Sequence, residues 1–335
     1  MKEASFYNVL DDGKILCYLC ARYCRIPEGL IGFCGVRQNI KGKLYSLNYG
    51  RLIAMHVDPI EKKPLMHYKP GTWVMSIATA GCNFACQFCQ NFDISQRRKV
   101  NEPYTSPEEL IELTVKRRAQ GLSYTYNEPT IFAEYAIDVM RLAHSKGLFN
   151  TWVTNGFMTV EALDDISKYL DAATVDFKGS GNREFYRRHM MVPESEPILD
   201  ALLEMNRRGV FIEITDLIIP IDIGSDLRDL ERLVKWIIDN LGPETPFHVL
   251  RFHPDYRMLN VPPTPLKMLE KHAEKAKELG LEYVYIGNVW GHPLENTYCP
   301  HCNHTIISRL GFQIRYIDIE EDRCPKCGAK LNIVM

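Results

Sequence analysis

No stretch of this chain approaches the ~20 consecutive apolar residues that a membrane helix needs, and its first residues, MKEASFYNVLDDGK, hold no apolar core of a secretory signal. The expectation is a soluble, cytoplasmic protein without a membrane partner. An excess of charge of either sign is also lacking. Lys+Arg 40 against Asp+Glu 42 leaves a net charge of -2, so no global attraction to nucleic acid or anionic lipid is expected. Short basic runs at Gln96-Arg97-Arg98-Lys99 and Lys116-Arg117-Arg118 read as solvated faces, with phosphate contact as the alternative. Internal repeats beyond a βα period and low-complexity tracts are absent, and no GxGxxG follows the first parallel strand, which argues against a dinucleotide fold.

Cysteine, by contrast, is abundant. The 11 residues fall into three tight groups, at 17 to 34, 82 to 89 and 299 to 327. Disulfide frameworks belong mainly to small secreted chains, and an odd total leaves one thiol over in any such scheme, so metal binding is the expectation.

From about residue 73, short β-branched, apolar runs alternate with longer amphipathic ones, the signature of βα units on a parallel sheet. Strands are expected at Trp73 to Thr79, Leu122 to Asn127, Asn150 to Asn155, Ala173 to Lys178, Val210 to Ile219, Phe247 to Phe252 and Glu282 to Gly287. Ser106-Pro107-Glu108-Glu109 forms a capping box with proline at the first helical position, and Gly121, Gly147, Gly209 and Gly280 read as left-handed helix stops. The fold class is therefore α/β, a partial parallel (β/α) barrel with a small Cys-rich metal-binding unit at each end. The boundaries expected are 1–50, 51–294 and 295–335. The loops after the strands share one rim in such a barrel, which gathers the 82 to 89 cysteines, Asn127, Glu128, Thr154, Asn155, Asp176, Lys178, Asp222, His253 and Asn288.

Cys82-x3-Cys86-x2-Cys89 follows the first barrel strand and puts three thiolates on one loop. Three cysteines on a four-iron, four-sulfur (4Fe-4S) core leave one iron open to a small molecule bearing an amine and a carboxylate, and S-adenosylmethionine (SAM) carries both. An electron from such a core can break a carbon–sulfur bond and release a 5'-deoxyadenosyl radical. A structural zinc site or three buried thiols are the alternatives, although zinc in a structural site takes four closed ligands and the loop offers no fourth. The neighbouring rim residues also have plain structural readings. Asn155-Gly156 can be a turn, Asp176 and Lys178 a strand-end ion pair, Glu128-Pro129 a helix start and His253 a local cap.

The segment from Thr79 through Cys82, Cys86, Phe88 and Cys89 to Asn91 resembles the cluster loop of radical SAM enzymes, specifically those similar to pyruvate formate-lyase activating enzyme. The resemblance implies that Cys82, Cys86 and Cys89 are the catalytic ligands and that Phe88 packs near the adenine. It also implies that Glu128, in Tyr124-Thr125-Tyr126-Asn127-Glu128-Pro129, meets the methionine amino group, although the paired glycines usual in that strand are absent. Thr154 and Asn155, with Asp176 and Lys178, resemble the strand ends that approach ribose and methionine. His253 is a further candidate for cofactor, proton or substrate.

Cys17, Cys20, Cys24 and Cys34 supply four soft ligands, which suit a tetrahedral zinc site or a complete iron–sulfur cluster; zinc suits so compact a knuckle. Such a closed site is structural or electron-relaying. Cys299-Pro300-His301-Cys302 and Cys324-Pro325-Lys326-Cys327 form paired knuckles of a zinc ribbon or a rubredoxin-like iron site, with His301 and His304 as spectators. The N-terminal pattern from Cys20 to Arg37 together with the tail ribbon resembles the radical enzyme of the AmmeMemoRadiSam system, which implies AMMECR1-like and Memo-like companions. The function expected is hydrogen abstraction from an unknown protein, peptide or small-molecule substrate, driven by a reductant such as ferredoxin or flavodoxin. Alternatives are a glycyl-radical enzyme activase, a non-radical iron–sulfur carrier or electron-transfer protein, and a zinc-dependent hydrolase.

Overall fold

A computed structural model describes residues 1–96 and 99–335; Arg97 and Arg98 of the first basic run lie outside the described residues. The core is one eight-stranded sheet whose strands lie side by side in chain order. These are β1 (Leu52–Pro59), β2 (Trp73–Thr79), β3 (Gly121–Tyr124), β4 (Phe149–Thr154), β5 (Ala172–Lys178), β6 (Phe211–Ile218), β7 (Phe247–Arg251) and β8 (Val284–Gly287). All neighbours run parallel except β1 and β2, which are antiparallel. No β1–β8 pairing closes the sheet among the described residues, so the architecture is the partial barrel expected, with an antiparallel edge strand added.

The strands are continuous apolar runs because helices cover their outer side and a packed interior covers the other; β2 is buried at all but its first residue. Helices α1 (Pro107–Lys116), α2 (Ala133–Ser145), α3 (Val160–Ile166), α4 (Glu196–Arg207), α5 (Leu227–Asn240) and α6 (Leu266–Glu278) lie between them. Ser106 and Glu109 form the capping box at the start of α1, worth about 1 kcal/mol of helix stability. Gly147, Gly209 and Gly280 take positive φ at helix stops as expected. Gly121 does not. Helix α1 ends earlier, Arg118 takes the left-handed turn at φ 58°, and Gly121 opens β3, where a side chain would strike the Phe149 ring. The second basic run is exposed.

A network of buried polar groups closes the lower end of the barrel interior. Glu213 on β6 accepts from the His67 backbone N–H at 2.7 Å and from His248 Nε2 at 2.7 Å. Tyr285 on β8 donates to His67 Nε2 at 2.6 Å and accepts from Thr297 Oγ1, which in turn accepts from Arg309 Nη1. His67 Nδ1 donates to the Asn332 carbonyl. Thr297, Arg309 and Asn332 belong to the tail, so this chain of donors fastens the tail to the barrel.

Candidate active site

Strand β2 delivers the chain to Gly81, which turns at φ 96° and begins the cysteine loop. Asn127, at the tip of β3, holds that turn: its Nδ2 donates to the Thr79 and Gly81 carbonyls at 2.6 and 2.7 Å. Farther along, Ala85 and Gln87 N–H groups donate to Met190 and His189 carbonyls, so the loop is tied to the segment after β5. The Cys82, Cys86 and Cys89 side chains all face one cavity of about 540 Å³. Burial raises all three thiols, Cys86 to about 12, so a bound metal must displace their protons. Phe88, between the second and third cysteines, is buried against Phe185 and Phe252 and faces the same cavity.

The remaining candidates converge as the barrel requires. Glu128, Thr154, Asn155, Asp176, Lys178, His253 and Asn288 line the cavity; Asp222 does not. Glu128 is buried, and its carboxylate is filled by protein donors: Thr130 N–H and Oγ1, Thr154 Oγ1 at 2.7 Å and Asn155 N–H at 2.8 Å. It caps the short helix Pro129–Phe132 and joins two strand ends. Desolvation raises its pKa, against the pull of those hydrogen bonds. Asn155 Nδ2 reaches Asn83 Oδ1 at 2.7 Å, coupling β4 to the cysteine loop. Asp176 accepts from Thr215 Oγ1, and Lys178 Nζ lies 3.4 Å from Asp176 Oδ2. His253 reaches Asp255 Oδ2 at 3.0 Å with 65% of its side chain exposed.

Two features of the cavity have no sequence signal. Lys63, buried, pairs with Asp58 at 2.7 Å, and Tyr126 OH donates to the same Asp58 oxygen. Burial pulls Lys63 down to about 8; burial would raise Asp58, but bonds from Lys63, Tyr126 and Lys62 hold it well below the usual carboxylate range. Tyr126 stands at φ 67°, with its carbonyl accepting from Asn91 Nδ2. The second feature is Phe312, which enters the cavity wall from the tail hairpin. Lys63 and Phe312 come from chain segments that only tertiary packing brings to the rim, where they meet Tyr126 at the end of β3.

The residues fit the cluster and SAM. Three thiols share one wall with no fourth cysteine, leaving a coordination position toward the cavity. Asn127 Oδ1 is a buried acceptor with no partner beside that loop, suited to an ammonium donor. The tail cysteines form a second, separate site. Cys299, Cys302, Cys324 and Cys327 place their sulfurs within 4.8 Å of one another, and Cys299–Cys327 and Cys302–Cys324 are 3.6 and 3.7 Å apart. Four thiolates at 2.3 Å from one ion stand about 3.8 Å apart in a tetrahedron, so the spacing suits a single ion. Each knuckle ends in a left-handed residue, Asn303 and Gly328, whose N–H bonds back to the first cysteine of its knuckle.

Comparison with known proteins bears on the family and the fold. Residues 76–237 match the radical SAM superfamily. Over its full length the chain is 44% identical to the uncharacterized protein MJ0808 of Methanocaldococcus jannaschii, covering 100% of both. Among solved structures, Streptococcus suis SuiB bound to S-adenosylmethionine is similar in fold, with a TM-score of 0.51, 11% identity and coverage of 72% of this chain and 56% of that one. A domain of pyruvate-formate lyase-activating enzyme from Bacteroides vulgatus matches with a TM-score of 0.43 and 16% identity, covering 51% of this chain and 100% of that one. The family match spans the cysteine loop and the ends of β3, β4 and β5, and stops short of both flanking cysteine sets.

Proposed function

The chain belongs to the radical SAM superfamily, and we propose that it abstracts hydrogen from its substrate with Cys82, Cys86 and Cys89 as the ligands of the 4Fe-4S cluster. When bound, the cluster and SAM supply one-electron cleavage of the cofactor to a 5'-deoxyadenosyl radical. The observation that carries the reading is the convergence of those three thiols with a free buried acceptor, Asn127 Oδ1, on one cavity wall. Asn127 accepts from the methionine ammonium. Glu128, its oxygens already engaged, acts by fixing Thr154 and Asn155 in place. Phe88 packs along the adenine, while Asp176 and Lys178 offer an acceptor and a cation to the ribose and methionine carboxylate. The substrate enters from the side of Lys63, His253 and Phe312. Phe312 helps to exclude water from the reacting centre.

The electron comes from a small low-potential protein of the ferredoxin or flavodoxin class, and the physiological setting is the AmmeMemoRadiSam system with AMMECR1-like and Memo-like partners. The similarity of the N-terminal pattern and tail ribbon to that system supports this placement. No helix among the described residues is long and apolar enough to cross a membrane, in keeping with a cytoplasmic location.

The test is 5'-deoxyadenosine formation by anaerobically reconstituted protein with dithionite and SAM. Wild type forms it and Cys86→Ser does not. Equal rates in both proteins would remove the cysteine assignment, and no product from wild type with an intact cluster would favour an iron–sulfur carrier.

A further inference from the structure

The N-terminal cysteines are drawn together by a hairpin. Strands Ile15–Cys17 and Cys24–Ile26 pair antiparallel with Cys17 opposite Cys24, the turn between them carries Cys20, and a second turn returns Cys34 to the same place. Yet among the described residues only the tail quartet packs its sulfurs within 4.8 Å of one another. No three of the N-terminal sulfurs stand at the spacing a single ion imposes, and neither do Cys82, Cys86 and Cys89. A four-iron, four-sulfide core holds its thiolates much farther apart than one ion can, because the metals and sulfides occupy the space between them.

A second observation concerns Arg37. Its side chain is 2% exposed and pairs with Glu134 through Nη2, but Nε and Nη1 are buried donors without any acceptor. Cys17 and Cys34 lie within reach of its charge. Two orphan N–H groups beside a thiol quartet lack a specific chemical partner, and the sulfides and thiolates of a cluster supply it. The thiolates of a zinc site would accept these donors as well, so Arg37 marks a metal–thiolate centre, and the choice of a cluster over one ion rests on the thiol spacing.

The third observation is position. Cys34 and Cys82 line one small crevice, and a Cβ on Gly81 would come 2.5 Å from the Cys34 carbonyl oxygen, so the backbone of one thiol set packs directly on the turn that begins the other. Arg22 spans the gap, donating to the Asn83 and Met191 carbonyls while stacking on Phe33 at 3.5 Å.

We propose that Cys17, Cys20, Cys24 and Cys34 hold a second four-iron, four-sulfur cluster, fully ligated by protein, that relays electrons to the centre at Cys82, Cys86 and Cys89. One electron enters from a low-potential flavoprotein or iron–sulfur donor, reduces the N-terminal centre, and passes across the Cys34–Gly81 contact, leaving the N-terminal centre oxidised again. The relay role rests on the function proposed above; the occupancy of the quartet does not. A fully ligated centre has no open iron, so it stays indifferent to SAM.

Iron, zinc and acid-labile sulfide are counted in anaerobically reconstituted wild type and in the triple variant Cys82→Ala, Cys86→Ala, Cys89→Ala, with low-temperature EPR after reduction. The expected result is about eight cluster irons in wild type and about four, with matching sulfide, in the triple variant. The wild-type EPR signal resolves into two components, of which SAM perturbs one. A count of about four irons in wild type, all perturbed by SAM, with a zinc ion beyond the one attributable to the tail, overturns the proposal. The wild-type spectrum decides the matter even if the triple variant fails to fold. Arg37→Lys sharpens it: losing the guanidinium donors shifts the SAM-indifferent component to a more negative midpoint potential, and an unshifted midpoint places Arg37 away from the cluster. Eight irons without 5'-deoxyadenosine would leave the second cluster standing and remove the proposed function; four irons with 5'-deoxyadenosine would do the reverse.

Discussion

The two ends of the chain each carry four cysteines, and the folds around them differ in what they hold fixed. In the tail, two knuckles of the same design face each other, the sulfurs are already at single-ion spacing, and a compact apolar group of Ile306, Ile307, Leu331 and Ile333 packs behind them. At the N-terminus the hairpin gathers the thiols more loosely, and Cys34 and Val36 pack against the turn at Gly81 that begins the cysteine loop. The tail is fastened to the barrel by the His67–Tyr285–Thr297–Arg309 hydrogen bonds and sends only Phe312 to the cavity, whereas the N-terminal unit packs directly on the turn that begins the Cys82 loop. Identical cysteine counts therefore sit in different settings: single-ion spacing in one case, and in the other a place beside the loop proposed to hold the cluster.

The strongest way to break this contrast is to remove a tail ligand. Structural metal in small thiolate sites contributes on the order of 10 kcal/mol to folding, more than the small core of this tail can replace. Cys299→Ser or Cys324→Ser is expected to lose the tail ion, lower the melting temperature and expose the segment beyond Glu295 to proteolysis, while the cluster iron at the barrel is retained. A metal-free variant as heat-resistant as wild type would make the tail ion dispensable and dissolve the distinction.

Gly81→Ala probes the other end. Alanine there must adopt φ 96° and place its Cβ 2.5 Å from the Cys34 carbonyl and 2.9 Å from Val36. The left-handed backbone alone costs roughly 1–2 kcal/mol, and displacing a backbone carbonyl brings the total to about 3 kcal/mol. The expected outcome is a lower melting temperature together with lower iron incorporation, while the tail ion is unaffected. Destabilisation with full iron content would mean that the contact matters for packing alone.

Much of the barrel was legible because its signals are local. β2 spans Trp73 to Thr79 as the apolar run indicates, and the Ser106 capping box announces α1. The grouping of Cys82, Cys86 and Cys89 on one loop was equally legible, and the structure turns all three toward one cavity. Residues whose role depends on distant partners were not. β1 has no helix between it and β2, so a βα period cannot reveal it; Gly121 resembled a helix stop, while Arg118 performs that turn and Gly121 makes room for Phe149. Lys63 and Phe312 reach the cavity only through tertiary packing, and Glu128 shows why a motif identifies a position more readily than a contact: its oxygens are filled from within the protein.

The smallest expected effect concerns the joint that fastens the tail. His67 is fully buried among Glu213, His248, Tyr285 and Arg309, and desolvation lowers its pKa from 6.5 to about 4. The unfolded chain takes up this proton first on acidification, so the contribution of neutral His67 is complete above about 6.5 and is lost as pH falls toward 4. Glu213, held low by His248 and His67 although burial would raise it, loses its contribution over a more acidic range. Linkage for His67 alone makes the protein about 2 kcal/mol less stable at pH 5 than at pH 7.5. Denaturant unfolding at the two pH values measures this, and His67→Gln is the control, because it removes the imidazole and leaves all four tail thiols in place. The variant should be less stable at pH 7.5 yet lose less on acidification. If it keeps the wild-type pH slope, acid acts through the thiolate ligands instead, and the tail is held chiefly by its metal rather than by the hydrogen-bonded joint beneath it.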